Sequence, residues 1–156
     1  MTSIGITGHQ VAPAWVWEAV ADQLPQVLGS PPFTGVSSLA AGADQEFADM
    51  VLTLGGNLCA VIPCHDYVSS FETAEQRVHF ESLLARARSI EQLDYPEPSE
   101  DAYHAAGHRV VDLSDKVVAV WDGRPANGKG GTADIVGYAR SLGKRVIVIW
   151  PTGAVR

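Results

Sequence analysis

The chain has 156 residues, 46% of them hydrophobic, which is enough to bury a sizeable core as one globular domain over residues 1–156. Eleven basic against eighteen acidic residues leave a formal charge of −7, which repels polyphosphate surfaces and argues against nucleic acid as the main partner. No apolar run reaches membrane-span length, and the opening MTSIGITGH has no basic segment ahead of an apolar one, so a cytoplasmic location is expected, with Cys59 and Cys64 as reduced thiols.

Strand and helix patterns alternate along the chain. Ser3–Thr7 is a short β run closed by Gly8-His9. Pro13 suits a first helical turn, and Val16, Val20 and Leu24 continue as an i, i+4, i+8 stripe up to Pro25, where the pattern is expected to break. Gly35–Leu39 reads as a second strand. Ala43–Leu54 follows as a helix with Phe47, Met50, Val51 and Leu54 on one face, and Gly55-Gly56 ends it. Asn57–Ile62 is a buried-type strand stopped by Pro63. Glu75–Arg88 is helical through Phe80, Leu83, Leu84 and Ala87, Ser89–Leu93 is a short strand, and Glu100–Leu113 is a helix with Tyr103, Ala106, Gly107 and Val110 inward. The strand Lys116–Trp121, the helix Thr132–Leu142 and the strand Arg145–Trp150 complete the series.

Continuous Val/Ile-rich strands separated by helices imply an α/β fold: a Rossmann-like, doubly wound, mainly parallel sheet in three layers. Ligands of such sheets bind beyond the carboxyl ends of the strands. That rule brings together Gly8-His9, the stretch Ala41-Gly42-Ala43-Asp44, the stretch Pro63-Cys64-His65-Asp66, and the segment from Asp122 to Thr132.

The segment WDGRPANGKGGTADIVGY carries the most chemistry. A strand feeds a loop containing Gly128, Gly130 and Gly131, and Thr132 opens a helix as its expected N-cap. Such a loop aims free backbone N–H groups, at the positive end of a helix dipole, toward one point that suits phosphate or carboxylate. Glycine permits close approach of an anion and the positive φ such loops often need. The spacing is neither a Walker loop nor a dinucleotide GxGxxG.

Gly5-Ile6-Thr7-Gly8-His9, Leu39-Ala40-Ala41-Gly42-Ala43-Asp44, Ser114-Asp115 before AVWDG, and Gly130-Gly131-Thr132 together resemble the SLOG superfamily. This group of Rossmann-like nucleotide-binding or nucleotide-processing domains includes the LONELY GUY phosphoribohydrolases and the DNA-processing protein A family. The resemblance spans nearly the whole chain and is nearest to small, stand-alone bacterial members. It implies a nucleotide ligand with phosphate on Gly130-Gly131-Thr132. The phosphoribohydrolases carry PGGxGTxxE. Aligned on Gly131-Thr132, this chain has Asn127 for the proline, Lys129 for the second glycine and Ile135 for the catalytic glutamate. Asp134 stands one residue early, about 100° away around the helix.

The candidate ligand-binding set is therefore Gly8, His9, Gly42, Ala43, Asp44, Asp122, Gly128, Gly130, Gly131 and Thr132. Asp134 and Asp122 are the candidates for an acid/base pair flanking a ribose. Each has a plainer reading: Asp134 complements a helix dipole, Asp122 bonds ribose hydroxyls, Asp44 is an N-cap or first-turn residue of a helix, and His9 is a surface histidine. His104 and His108 lie four apart on a helix without a metal-binding motif, so no metal is expected. Trp15, Trp17, Trp121 and Trp150 either stack a base or pack. The expected partner is a small-molecule nucleotide, with no membrane, no required cofactor, and a homo-oligomer such as a homodimer as the assembly. The reading is nucleotide binding; the alternative is N-glycosidic hydrolysis of nucleoside monophosphates, and a third class is a dimerising scaffold with an empty pocket.

Overall fold

The computed structural model describes residues 1–125 and 131–155. Within them lie β1 (Thr2–Gly8), α1 (Ala14–Leu28), β2 (Phe33–Ser37), α2 (Ala43–Thr53), β3 (Asn57–Ile62), a 3-10 turn (Tyr67–Ser70), α3 (Ala74–Arg86), β4 (Ser89–Gln92), α4 (Glu100–Asp112), β5 (Lys116–Val120), α5 (Thr132–Ser141) and β6 (Arg145–Ile149). The described strands form one six-stranded, all-parallel sheet in the order β4-β3-β2-β1-β5-β6. This is the expected Rossmann-like, three-layer α/β fold.

Right-handed crossovers explain the layering. From β1 to β4 the chain steps one way across the sheet, so α1, α2 and α3 share a face. The return to β5, beside β1, places α4 and α5 on the opposite face, where they pack together. Strand order therefore reverses between β1 and β5.

Alternation along each strand serves both faces. Ile4 and Ile6 of β1 join the larger core with Val118 and Val120, while Gly5 between them faces α4. A Cβ on Gly5 would stand 3.0 Å from Val110 Cγ1 and would also strike Ser114, so α4 sits closer to the sheet than any other residue at this position would allow.

Several boundaries differ from expectation. Pro25 does not end the first helix, which runs on to Leu28. A proline there forfeits one backbone hydrogen bond at a cost of about 3 kcal/mol. Burial of Leu24 and Leu28 on either side, each worth roughly 1.5–3 kcal/mol, offsets it. The second strand lies at Phe33–Ser37 rather than reaching Leu39, because Leu39 turns out of the extended region with φ 59°. Trp121 and Trp150 stand just past the ends of β5 and β6.

Candidate functional site: a cleft at the strand carboxyl ends

At the end of β1 the backbone pairing continues one residue into the loop. His9 N–H donates to Val120 O at 3.1 Å, and His9 O accepts from Ala43 N–H, in the first turn of α2, at 3.1 Å. Gly8 and Gly42 make this approach possible. A Cβ on Gly8 would lie 2.6 Å from Ala43 Cβ and 2.9 Å from Val120 Cβ. Gly42, the N-cap of α2, has φ 85°, and a Cβ there would run into the Gln10 backbone. Both glycines are thus required by packing of chain on chain, and Gly42 by its left-handed conformation as well.

His9 is buried rather than at the surface. Its Nε2 accepts from the Asp122 N–H at 3.2 Å and lies 3.3 Å from Asp122 Oδ1, and its ring meets Trp150 edge-on at 5.4 Å. Asp122 Oδ1 also accepts from Arg124 N–H at 3.0 Å, an Asx-type turn that fixes the start of the loop after β5. Asp122 is held by these contacts behind the cleft wall, with its side chain only 5% exposed.

Gly131 is the N-cap of α5, with φ −65° and ψ 161°, and Thr132 is the first helical residue. The expected capping role of Thr132 therefore passes to Gly131. Among the described residues no side chain caps this end, and Gly131, Thr132 and Ala133 form one wall of a cleft of about 510 Å³. That volume is typical of small-molecule sites. Gly131 needs no positive φ, so the value of glycine here is the open space that its missing side chain leaves. Gly128 and Gly130 lie outside the described residues.

The rest of the lining comes from the other strand ends. Gly8, His9 and Val11 follow β1, while Ala40, Ala41 and Asp44 follow β2. Pro63 and the 3-10 turn residues Tyr67 and Ser70 follow β3. Phe71 and Gln76 come next, with Tyr103 from α4 and Trp121 and Arg124 after β5. Gly42 and Ala43 stand behind this surface as the packing that positions Asp44.

Asp44 is not a cap. It sits in the first turn of α2, and its Oδ2 accepts from Ala40 N–H at 3.3 Å. Its second oxygen has no partner among the described residues. Burial pushes its carboxyl up to about 7, against the smaller opposing effect of the Ala40 hydrogen bond. The neighbouring Tyr67 hydroxyl is held well above its usual range, by burial first and by Asp44 second. The loop that presents Ala40 is braced by buried Gln45, whose side-chain N–H groups reach Leu39 O at 3.2 Å and Gln76 O at 3.4 Å. Ser37 Oγ completes the brace, donating to Asp44 O at 3.1 Å and accepting from Leu39 N–H at 3.0 Å.

Asp134 is exposed on α5 and does not line the cleft, so no acid/base pair with Asp122 spans it. Ile135 is buried, packs on Gly107 of α4 and contributes an apolar part of the wall. His65 turns away to Asp94 at 2.9 Å and Gln92 at 2.8 Å. His104 and His108 form a ring stack with Tyr138 outside the cleft. No group of three metal-ligating side chains occurs among the described residues. Of the four tryptophans only Trp121 faces the cleft.

Sequence reasoning missed the aromatic end of the cleft. Tyr67 contacts Phe71 at 5.2 Å, Phe80 at 5.4 Å and Tyr103 at 6.4 Å between ring centroids. The signal available was YVSSF after the third strand, but without periodicity it reads as loop.

No protein-family model matches the chain, and no curated protein does. Solved structures do. DNA processing protein A from Streptococcus pneumoniae superposes with a TM-score of 0.73 over 98% of this chain, at 16% identity. The fold is shared with DNA processing protein A. DNA processing protein A from Helicobacter pylori, described for its single-stranded DNA binding mode, matches with a TM-score of 0.66 over 94% of the chain at 15% identity. TM1055, a structural-genomics target, matches at 0.55 over 94% at 14% identity, covering 72% of that protein. The chain spans 52% of the Streptococcus pneumoniae protein and 64% of the Helicobacter pylori protein. At these identities what is shared is the fold. Among the described residues no helix is long and apolar enough to cross a membrane.

Proposed function

We propose that this protein binds a nucleotide or nucleotide derivative in the cleft, with the phosphate against the start of α5 at Gly131 and Thr132. One observation carries the reading: an uncapped helix N-terminus walls one part of a 510 Å³ cleft beside the β1/β5 reversal, and aromatic residues line another part. The first suits a phosphate and the second a base. The sequence resemblance of Gly130-Gly131-Thr132 to the phosphate loops of SLOG proteins supports the same assignment.

Binding without turnover is the form of this proposal that the residues favour. Isoleucine at position 135 can neither carry a proton nor stabilise an oxocarbenium-like centre, and its anchoring on Gly107 resists rotation of the helix turn that would bring Asp134 inward. Nucleic acid is disfavoured as the main partner despite the Helicobacter pylori protein. The net charge is −7, and Glu72, Glu100 and Asp44 line the cleft against Arg124 as the described cation there.

The test is a thermal-shift screen over nucleoside mono-, di- and triphosphates, followed by chromatography of the binders for free base. A ligand at one hundred times its dissociation constant adds about 2.7 kcal/mol of stability. Stabilisation with no base release is expected. Absence of stabilisation by every nucleotide contradicts the binding reading, and base release abolished by Asp134→Asn replaces it with glycosidic hydrolysis.

A further inference from the structure

The order of groups along the cleft follows the order of strands beneath it. Gly131 and Thr132 follow β5, Gly8 and His9 follow β1, Asp44 follows β2, and Tyr67 follows β3, where Tyr103 of α4 joins it. Neighbouring strands are about 4.8 Å apart, so β5 to β3 spans about 14 Å. That distance is comparable to the reach of one nucleotide from phosphate to base. A phosphate at α5 and a base directed to Tyr67 put the sugar between β1 and β2, on the side where Asp44 stands.

Resting on the nucleotide reading above, we infer that Asp44 is the sugar-reading residue of this cleft, accepting hydrogen bonds from ribose hydroxyls and so selecting ribonucleotides over 2′-deoxyribonucleotides. Asp44 lines the cleft, one of its oxygens is held by Ala40 N–H, and the other has no partner among the described residues. A carboxylate fixed through one oxygen presents the other as an oriented acceptor. A 2′-hydroxyl supplies the donor, and a deoxyribose leaves that acceptor unmatched in a partly buried wall. Hydrogen bonds to charged groups are worth enough to make the preference about tenfold to a hundredfold.

The preference is also pH-dependent. Asp44 accepts from the Ala40 N–H of its own loop and faces the neutral hydroxyl of Tyr67, which in turn neighbours Tyr103 and the thiol of Cys64, while Gln76 of α3 lines the same cleft. Further along the cleft stand Glu72, Glu100, His9 and Arg124. The Asp44 carboxyl titrates at about 7, so the accepting, charged form is populated as pH rises through that value. Ribonucleotide preference therefore grows from weakly acidic to weakly alkaline solution. Taking the ratio of ribo to deoxyribo affinity cancels the titration of the ligand phosphate, which both ligands share.

Isothermal titration of the full chain with AMP, GMP, CMP and UMP and their 2′-deoxy counterparts, at about pH 6.5 and about pH 8.5, tests this directly. The expected result is a ribo preference of at least about tenfold at the higher pH, smaller at the lower, and weak and flat with pH in Asp44→Asn. Equal affinities for ribo and deoxyribo ligands in the wild-type protein overturn the inference while leaving nucleotide binding standing, and need no variant. A preference that persists unchanged in Asp44→Asn overturns it as well. If no nucleotide binds at either pH, both this inference and the reading beneath it fail.

Discussion

At the residue scale, Gly131 and Asp44 carry opposite kinds of information. Gly131 has φ −65°, which any residue adopts, so Gly131→Val should fold with a stability loss of about 1 kcal/mol from the poorer helix cap. It should nevertheless lose nucleotide binding, because the isopropyl group fills the space before the first turn of α5. Titration calorimetry beside a melting curve checks both halves, and full affinity in the folded variant removes the phosphate from this wall. Asp44 yields a prediction about stability. Its carboxyl titrates at about 7 in the fold and near 4 in an unfolded chain. The folded protein thus holds this proton more tightly than the unfolded chain, and the residue costs stability as pH rises from about 4 to about 7. Asp44→Asn keeps an acceptor for Ala40 N–H without the charge, so it should raise the melting temperature at about pH 8 and change it little at about pH 5. A variant less stable at about pH 8 contradicts the origin assigned to the shift. Gly8, His9, Asp44, Gly131 and Thr132 were legible as cleft residues because each follows a strand. Gly42, Ala43 and Asp122 were legible only as neighbours of that cleft, since motif spacing cannot tell a wall from the packing behind it.

At the element scale, periodicity recovered what depends on periodicity. The α2 stripe of Phe47 and Val51 and the continuous β3 and β5 runs were readable because burial repeats along them. The extension of α1 past Pro25 was not, because a local rule against proline met a tertiary gain from Leu28 that the sequence does not price. Pro25→Ala is accordingly expected to stabilise the fold by about 1–3 kcal/mol, restoring a helical hydrogen bond at the cost of a freer unfolded chain. Denaturant melts measure this, and a destabilised variant shows that the proline is instead required for the path of the helix. The 3-10 turn bearing Tyr67 escaped for a different reason: an aromatic cluster assembled from the turn, α3 and α4 leaves no pattern in any one of them.

At the scale of the whole molecule, the reversal of strand order between β1 and β5 puts an uncapped helix end, a brace of buried hydrogen bonds around Asp44 and an aromatic cluster around one opening. The fold supplies the place, and the side chains of this chain decide its chemistry. Under the proposed reading, Gly131 and Thr132 meet the phosphate, Asp44 accepts from the sugar, and Ile135 leaves no carboxylate at its position to cleave the bound nucleotide. Calorimetric titration with nucleoside monophosphates, with the same mixtures assayed for free base, is the most direct measurement. Saturable binding at one site per chain, lost in Gly131→Val and accompanied by no base release, is the predicted result. No heat of binding from any monophosphate, or wild-type affinity in Gly131→Val, contradicts it.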